Sequence, residues 1–362
     1  MAAGTGQDQT EALVEQVRRA RAARVPLRIV GGDTRRFYGR AIDAEPLRLH
    51  GHAGVVNYDP AELVVTVRSG TPLAELEALL RQDRQCLPFE PPSFGTGSTV
   101  GGMIAAGLAG PARAARGPVR DYVLGVRLLA GDGRVLRFGG EVMKNVAGYD
   151  VARLLAGSLG TLGILLEVSL KVLPLPVASC TRRLQADAAQ AIALLAGHVQ
   201  QGLPVSASFW HDDQLWVRLD ASNRSLERAA ATLGGEPATA QDAELLWRAV
   251  RDQRHAFFAA HGARRLWRMH VPADAPVAPM TALGDWAFEW NGAQRWCHDP
   301  DPTAAHRIAA AGTGHASLFR GAMPGEEVFA ALAPAALQLH REVKRVFDPD
   351  GILNAGRMYA SF

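Results

Sequence analysis

Cysteine is scarce: Cys86, Cys180 and Cys297 are the only three in 362 residues, far apart and never spaced as C-x-x-C. That excludes a disulfide framework and leaves no ligand set for an iron–sulfur cluster. A reducing cytoplasm is the expected setting. Long apolar runs are missing too, and no segment reaches the roughly 20 residues needed to span a bilayer. Residues 1–24 are polar and helix-prone, with larger aliphatic side chains only at Leu13, Val14 and Val17, so the apolar stretch of a secretory signal is absent. Membrane contact is therefore expected only indirectly, through a partner, with the chain at most peripheral at the inner face of the cytoplasmic membrane. Charge of one sign is not concentrated anywhere: 39 basic and 36 acidic residues are scattered to a net +3, which gives no phosphate-binding stripe and excludes nucleic acid as a partner. No metal-binding histidine pair is evident. His255 and His261 lie six apart and would face different sides of a helix.

What is present is a globular composition, 48% hydrophobic and 21% charged, with length for about two domains. Residues 27–30 read as a strand running straight into Gly31-Gly32-Asp33-Thr34. A second strand over 63–67 ends at Ser69-Gly70. Pro72 then opens an amphipathic helix over 73–80, apolar at 73, 76, 79 and 80. The densest punctuation lies in 88–110, with Pro91-Pro92 and six glycines, too organised for a linker. Residues 123–129 and 134–138 flank Gly131-Asp132-Gly133, a hairpin signal. A long strand over 162–172 is closed by Pro174 and Pro176, the expected first domain boundary. From 178 to about 344 the composition shifts to Ala- and Arg-rich helices with short strands, an α+β insertion.

Three glycine-rich turns carry the chemistry: Gly31-Gly32-Asp33-Thr34, Gly95-Thr96-Gly97-Ser98-Thr99-Val100-Gly101-Gly102, and Gly157-Ser158-Leu159-Gly160-Thr161-Leu162-Gly163. Glycine lets backbone N–H groups approach a diphosphate closely, and each turn adds a hydroxyl able to donate to phosphate or ribose. One such turn alone is commonly a structural turn. Three in one stretch, each with hydroxyls, point to a shared anion. A Rossmann site built on Gly95, Gly97 and Gly101 with Asp121 downstream is the rival, but that fingerprint must follow a buried strand. Pro91-Pro92 stands there instead.

Residues 26–176 resemble the FAD-binding domain of the vanillyl-alcohol-oxidase, or PCMH-type, flavoprotein superfamily. Three stretches carry the resemblance: Phe94 to Met103, Arg120-Asp121-Tyr122-Val123-Leu124-Gly125, and Lys144-Asn145-Val146-Ala147-Gly148-Tyr149-Asp150. Together they are similar to the FAD-binding (E) subunits of bacterial glycolate oxidases. Phe347-Asp348-Pro349 with Ile352-Leu353-Asn354-Ala355-Gly356 is similar to the family's closing segment, with Ala355 in place of the more usual proline. Trp290 to Trp296 and Gly314 to Arg320 are weaker matches.

The resemblance implies an α+β fold: a PCMH-type two-subdomain FAD-binding domain (1–176), an α+β cap or substrate domain (177–345) inserted before the C-terminal segment, and that segment (346–362) returning to the FAD domain. It implies that Gly31, Gly32, Asp33 and Thr34, with Thr96, Gly97, Ser98, Thr99, Val100, Gly101 and Gly102, cradle the pyrophosphate. Gly160, Thr161, Gly163 and Ile164 would line the same nucleotide, and Asn354 would approach the flavin. The first turn carries neither His nor Cys for a covalent link, so FAD is expected to be non-covalent; His52 nearby reads as a surface or packing histidine. The implied function is the FAD-binding subunit of a glycolate oxidase complex, oxidising glycolate, a small 2-hydroxy acid, to glyoxylate. The implied partners are a homologous catalytic FAD subunit and an iron–sulfur subunit that carries electrons toward quinone.

The catalytic residues stay open. Arg295, His298, His315 and Arg320 are weak candidates for clamping a carboxylate or taking a proton, set against ordinary structural roles. Lys144 and Tyr149 are either catalytic or part of a buried turn. The clustered metal-binding histidines of related catalytic subunits are not found. Two other readings remain: a self-sufficient FAD-linked 2-hydroxy-acid dehydrogenase of the D-lactate type, and a non-catalytic FAD-containing structural or electron-relay subunit. A non-flavin NAD enzyme is the outsider.

Overall fold

A computed structural model describes residues 7–140, 150–259, 264–281, 283–298 and 301–362. Lys144 to Tyr149, His261 and the start of the chain lie outside the described residues.

The platform is organised around a five-stranded antiparallel sheet in the order Val55–Asp59, Val64–Arg68, Ile164–Lys171, Val123–Leu129, Val135–Gly139. Its central strand, Ile164–Lys171, is apolar on both faces, and the two faces feed two different cores. Leu165, Val168 and Leu170 pack with Leu73, Leu76 and Leu80 of helix Leu73–Gln82 and with Met103 and Ile104 of helix Val100–Ala106. Ile164 and Leu166 face the opposite way, against Leu13 and Val17 of the amphipathic helix Thr10–Ala23. The hairpin read at Gly131-Asp132-Gly133 joins the last two strands.

A small parallel pair, Leu27–Val30 with Glu45–Arg48, forms the second part of the platform. The tail completes it: the Leu27 N–H donates to the Ile352 carbonyl at 2.7 Å, and the Asn354 N–H to the Leu27 carbonyl at 2.9 Å.

Above the platform sits an eight-stranded sheet in the order Glu236–Pro237, Ala178–Gln185, Gln214–Ala221, Val205–His211, Trp286–Glu289, Gln294–His298, Leu266–His270, His315–Arg320. Strand alternation sorts its side chains. Trp267, Met269, Cys297 and Leu318 face the core under helices Ala188–Gln200, Asn223–Leu233 and Pro302–Ala311. Leu266, Trp296 and Phe319 face the platform, packing with Tyr38, Ala106, Leu108 and Leu159. The cap and the platform thus share an apolar core. Among the described residues no helix is long and apolar enough to cross a membrane.

The tail is locked by a buried ion pair. Lys344, near the end of helix Pro334–Phe347, donates to Asp348 at 2.8 Å and to the carbonyls of Thr161 (2.8 Å) and Leu353 (3.0 Å). Asp348 in turn accepts from the N–H groups of Ile352 and Leu353. Removing one member strands the other charge in the interior, so Lys344→Met is expected to cost about 3–5 kcal/mol of folding stability. Equilibrium denaturation in urea would measure it, and a loss under 1 kcal/mol would contradict the buried-pair account.

Candidate functional site

The first glycine turn leaves the strand Leu27–Val30, and its geometry is set by contact with the second. A Cβ on Gly31 would lie 2.3 Å from Thr99 Oγ1, and one on Gly32 only 1.4 Å from the Gly97 carbonyl oxygen. The two turns therefore touch through backbone, an approach only glycine permits. The third turn joins through Asn354. Its Oδ1 accepts from the Ile29 N–H at 2.8 Å and its Nδ2 donates to the Leu159 carbonyl at 2.7 Å. Gly160, at φ +73°, would place a Cβ 2.7 Å from that same Nδ2.

One pocket results. Gly31, Gly32, Asp33 and Thr34 line it with Thr99, Gly101 and Gly102 from the second turn, and Gly160, Gly163 and Asn354 from the third turn and the tail. Ten residues expected at the nucleotide thus share one concavity. The others lie elsewhere. Thr96 and Ser98 line a separate cleft on the far side of the second turn, and Gly97 presents its carbonyl to Gly32. Val100 and Ile164 are fully buried core residues. Thr161 is buried, with its hydroxyl donating to the Ser158 carbonyl and its own carbonyl accepting from Lys344. The second glycine run is not wholly a loop: helix Val100–Ala106 starts inside it, capped by Thr99, so Gly101 and Gly102 are helical.

Sequence reasoning missed several pocket residues, of which three bear on an anion. Arg35 directly follows the first turn and ties it to the second, donating from Nη1 to Ser98 Oγ at 2.8 Å and from Nη2 to the Pro92 carbonyl at 2.5 Å. Burial pulls its guanidinium down to about 10, against partial support from Asp252, and its buried Nε has no partner. Arg357 is also pulled down to about 10 by burial; it pins the first turn by donating to the carbonyls of Arg35, Arg36, Tyr38 and Arg40. Ser69 lines the pocket with a buried hydroxyl that has no partner. An unsatisfied cationic N–H and an unsatisfied hydroxyl beside a glycine cradle suit an anionic diphosphate. The cue available in sequence was an arginine one residue past a glycine–hydroxyl turn.

The four cap candidates do not converge. Arg295 is buried and donates to the carbonyls of Gly292, Pro276 and Ala275. His298 Nε2 bonds the Phe257 carbonyl at 3.0 Å. His315 lies at the surface, 3.3 Å from His270 Nδ1. Arg320 donates to Gln253 and lies over the Phe37 ring. His52 is a packing residue, its ring nitrogens meeting the Gln9 N–H and the Leu166 carbonyl. Among the described residues no group of three or more His, Cys, Asp or Glu is placed to hold a metal ion.

A different polar group occupies the seam between platform and cap. Glu289 is buried and accepts from Trp296 Nε1 (2.8 Å) and Gln294 Nε2 (3.1 Å), and burial pushes its carboxyl up to about 7. The other face of Gln294 meets His270 Nε2 at 3.2 Å. Trp290 Nε1 donates to the Gly110 carbonyl across the seam, beneath the Arg113 guanidinium.

A dinucleotide-binding platform under an antiparallel cap is the architecture of FAD-linked oxidases, and the comparisons agree. Residues 7–139 match the FAD binding domain family and residues 321–358 the C-terminal domain of FAD linked oxidases. Solved alkyldihydroxyacetonephosphate synthase shares the fold, with a TM-score of 0.68 over 95% of this chain and 75% of that one, at 14% identity. The chain is 44% identical over 354 residues, 98% of each protein, to glycolate oxidase subunit GlcE of Escherichia coli (strain K12). It is 35% identical over 122 residues, 34% of this chain and 26% of the other, to glycolate oxidase subunit GlcD of Bacillus subtilis (strain 168). The chain belongs to the GlcE family of FAD-linked oxidoreductases, and its cofactor is FAD.

Two outcomes follow from this geometry. Gly32→Ala is expected to abolish flavin retention, read as bound FAD per chain, whereas Gly197→Ala on helix Ala188–Gln200, where a Cβ meets nothing within 4 Å, leaves it unchanged. Retained yellow colour in Gly32→Ala would contradict the cradle. The second concerns pH. His52, His255 (about 4) and His270 are all depressed, chiefly by burial, so the unfolded chain takes up protons there below its ordinary pKa of ~6.5 and stability falls as pH drops from 7 to 5. Glu289 opposes this, because its raised carboxyl loses stability as pH rises toward 7. The depressed histidines, His198 and His315 among them, outnumber the raised carboxyls Glu289 and Glu77. His255→Phe, which keeps a ring beside Phe209, should flatten the dependence of the urea midpoint on pH, and Glu289→Gln should steepen it.

Proposed function

We propose that this chain is the FAD-binding subunit of a glycolate oxidase complex, in which glycolate is oxidised to glyoxylate and electrons pass through an iron–sulfur partner toward quinone. The reading rests chiefly on end-to-end similarity to GlcE, supported by the single pocket in which three glycine turns meet. When bound, FAD supplies the hydride acceptor. The chain's own residues hold it: Gly31 to Thr34 offer backbone to the diphosphate, and Thr99, Gly101 and Gly102 line the same pocket, with the Arg35 cation behind them. Thr96, Gly97, Ser98 and Val100 shape the second turn. Gly160, Thr161, Gly163 and Ile164 fix the third, and Asn354 clips it to the first. In this reading residues 1–176 and 346–362 form the FAD-binding unit and 177–345 the cap, FAD is held without a covalent bond, and the second flavin subunit and the iron–sulfur subunit are separate chains. The chain works on the cytoplasmic side of the membrane.

A second reading, in which the acid does not reduce this FAD directly, draws on the non-convergence of Arg295, His298, His315 and Arg320. The two separate in one measurement. The purified chain is expected to show flavin absorption that bleaches on anaerobic glycolate. A yellow protein that stays oxidised alone but bleaches once its partners are added would favour the relay reading, and a colourless one would remove both.

A further inference from the structure

Arg268, in strand Leu266–His270, is a buried guanidinium with 9% of its surface exposed. Among the described residues no carboxylate lies within ion-pair distance of it, and its Nε has no hydrogen-bond partner. Its charge rests on two aromatic faces, Tyr38 at 5.4 Å and Phe319 at 5.1 Å, and Nη2 donates to the Tyr38 hydroxyl at 2.8 Å. Tyr38 itself lines the FAD pocket. Arg268 therefore stands one hydrogen bond beyond that pocket, at the seam.

On its other side Arg268 lines a small cavity of about 20 Å³, room for one water, with Glu289, Gln294, Phe94 and Gly110. An arginine left without an acid in such a place has an unmet demand for an anion. The cavity's wall is thin. Arg251 borders both it and the cleft of about 960 Å³ on the far side of the second glycine turn, while Phe94 borders the cavity and its chain neighbours Ser93 and Gly95 border the cleft. Phe94 holds a left-handed backbone, φ +55°. Arg81, Arg248 and Arg254 line the cleft with Glu244, while its Arg218 is paired with Glu90 and its Arg251 with Glu77 and Asp252, so five cations face four carboxylates there.

We infer that Arg268 is the carboxylate-binding residue of a small-acid site at the platform–cap seam, narrowed in this structure by Phe94 and entered from the cleft on the far side of the second glycine turn. The inference deepens the glycolate oxidase reading and rests on it. A 2-hydroxy acid exceeds the one-water space, so binding displaces the Phe94 ring, and the acid's carboxylate takes the open Nε edge of Arg268. Glu289 faces the same cavity; its donors are Trp296 and Gln294, and the charges acting on it are Arg268 and Glu90. Its neutral form, favoured below pH about 7, does not repel an entering carboxylate.

The test titrates FAD-loaded chain with glycolate and with oxalate, an unreactive dicarboxylate, reading the flavin difference spectrum and binding heat. Wild type is expected to saturate with both acids, tighter at pH 6 than at pH 8. Arg268→Met should weaken oxalate about 100-fold and Arg268→Lys, which keeps the charge but not the fork, about 10-fold, with FAD content unchanged. Glu289→Gln should remove the pH dependence, and Phe94→Ala should speed association. Should Arg268→Met fail to fold, the Arg268→Lys shift decides. Wild-type affinity for oxalate in either variant, or no acid bound by a yellow wild-type protein, overturns the inference. A colourless protein instead overturns the FAD assignments, and binding heat with oxalate still decides the role of Arg268.

Discussion

The backbone contact between Gly32 and Gly97 is the constraint from which the rest of this molecule follows. Two chain segments some sixty residues apart meet with no room for a methyl group between them. Each is then held by a different element: the first by the strand Leu27–Val30 and by Arg357, the second by Thr99 at the head of a helix buried against the five-stranded sheet. Both supports belong to the packed cores of the platform, and together they set the walls of the pocket. Arg35 adds the charge, and the low polarity around it strengthens any contact it makes.

The seam between platform and cap has a different character. It is aromatic, with Tyr38, Phe94, Trp296 and Phe319 interlocked, yet it holds Arg268 and Glu289. Such an arrangement fixes the relative placement of the two layers while keeping ionisable groups beside the nucleotide pocket. Polar groups in that position are costly unless satisfied. Glu289 has its two donors, whereas among the described residues the Arg268 guanidinium meets Tyr38 and the ring faces.

Much of the platform was legible because its signals are local. Strand runs, the Asp132-Gly133 hairpin and the glycine turns each announce themselves within a few residues, and the strands at 27–30 and 123–129 fall where patterning puts them. That the turns share one anion was legible from three hydroxyl-bearing glycine runs in one stretch and from resemblance, but nothing local says that Gly32 and Gly97 touch. The cap was harder. Arg295 and His298 sit in familiar-looking stretches, but the pleat and the chain folding back over 275–276 turn the Arg295 side chain into a carbonyl nest. Arg268 and Glu289 carry no motif at all. They come to one cavity because their strands pair on opposite sides of Gln294–His298, with Arg268 opposite Trp296 and Glu289 opposite Gln294.

The bond between Ile29 and the Asn354 side chain spans 325 positions of sequence. During synthesis the ribosome must therefore deliver the whole eight-stranded sheet before Asn354 and Arg357 can reach the turns they fasten. The nascent platform stays open on that side meanwhile. Closure of the glycine turns is thus among the last steps of folding, and until it is made the strands Leu27–Val30 and Ile164–Lys171 lack the cover of Ile352 and Leu353.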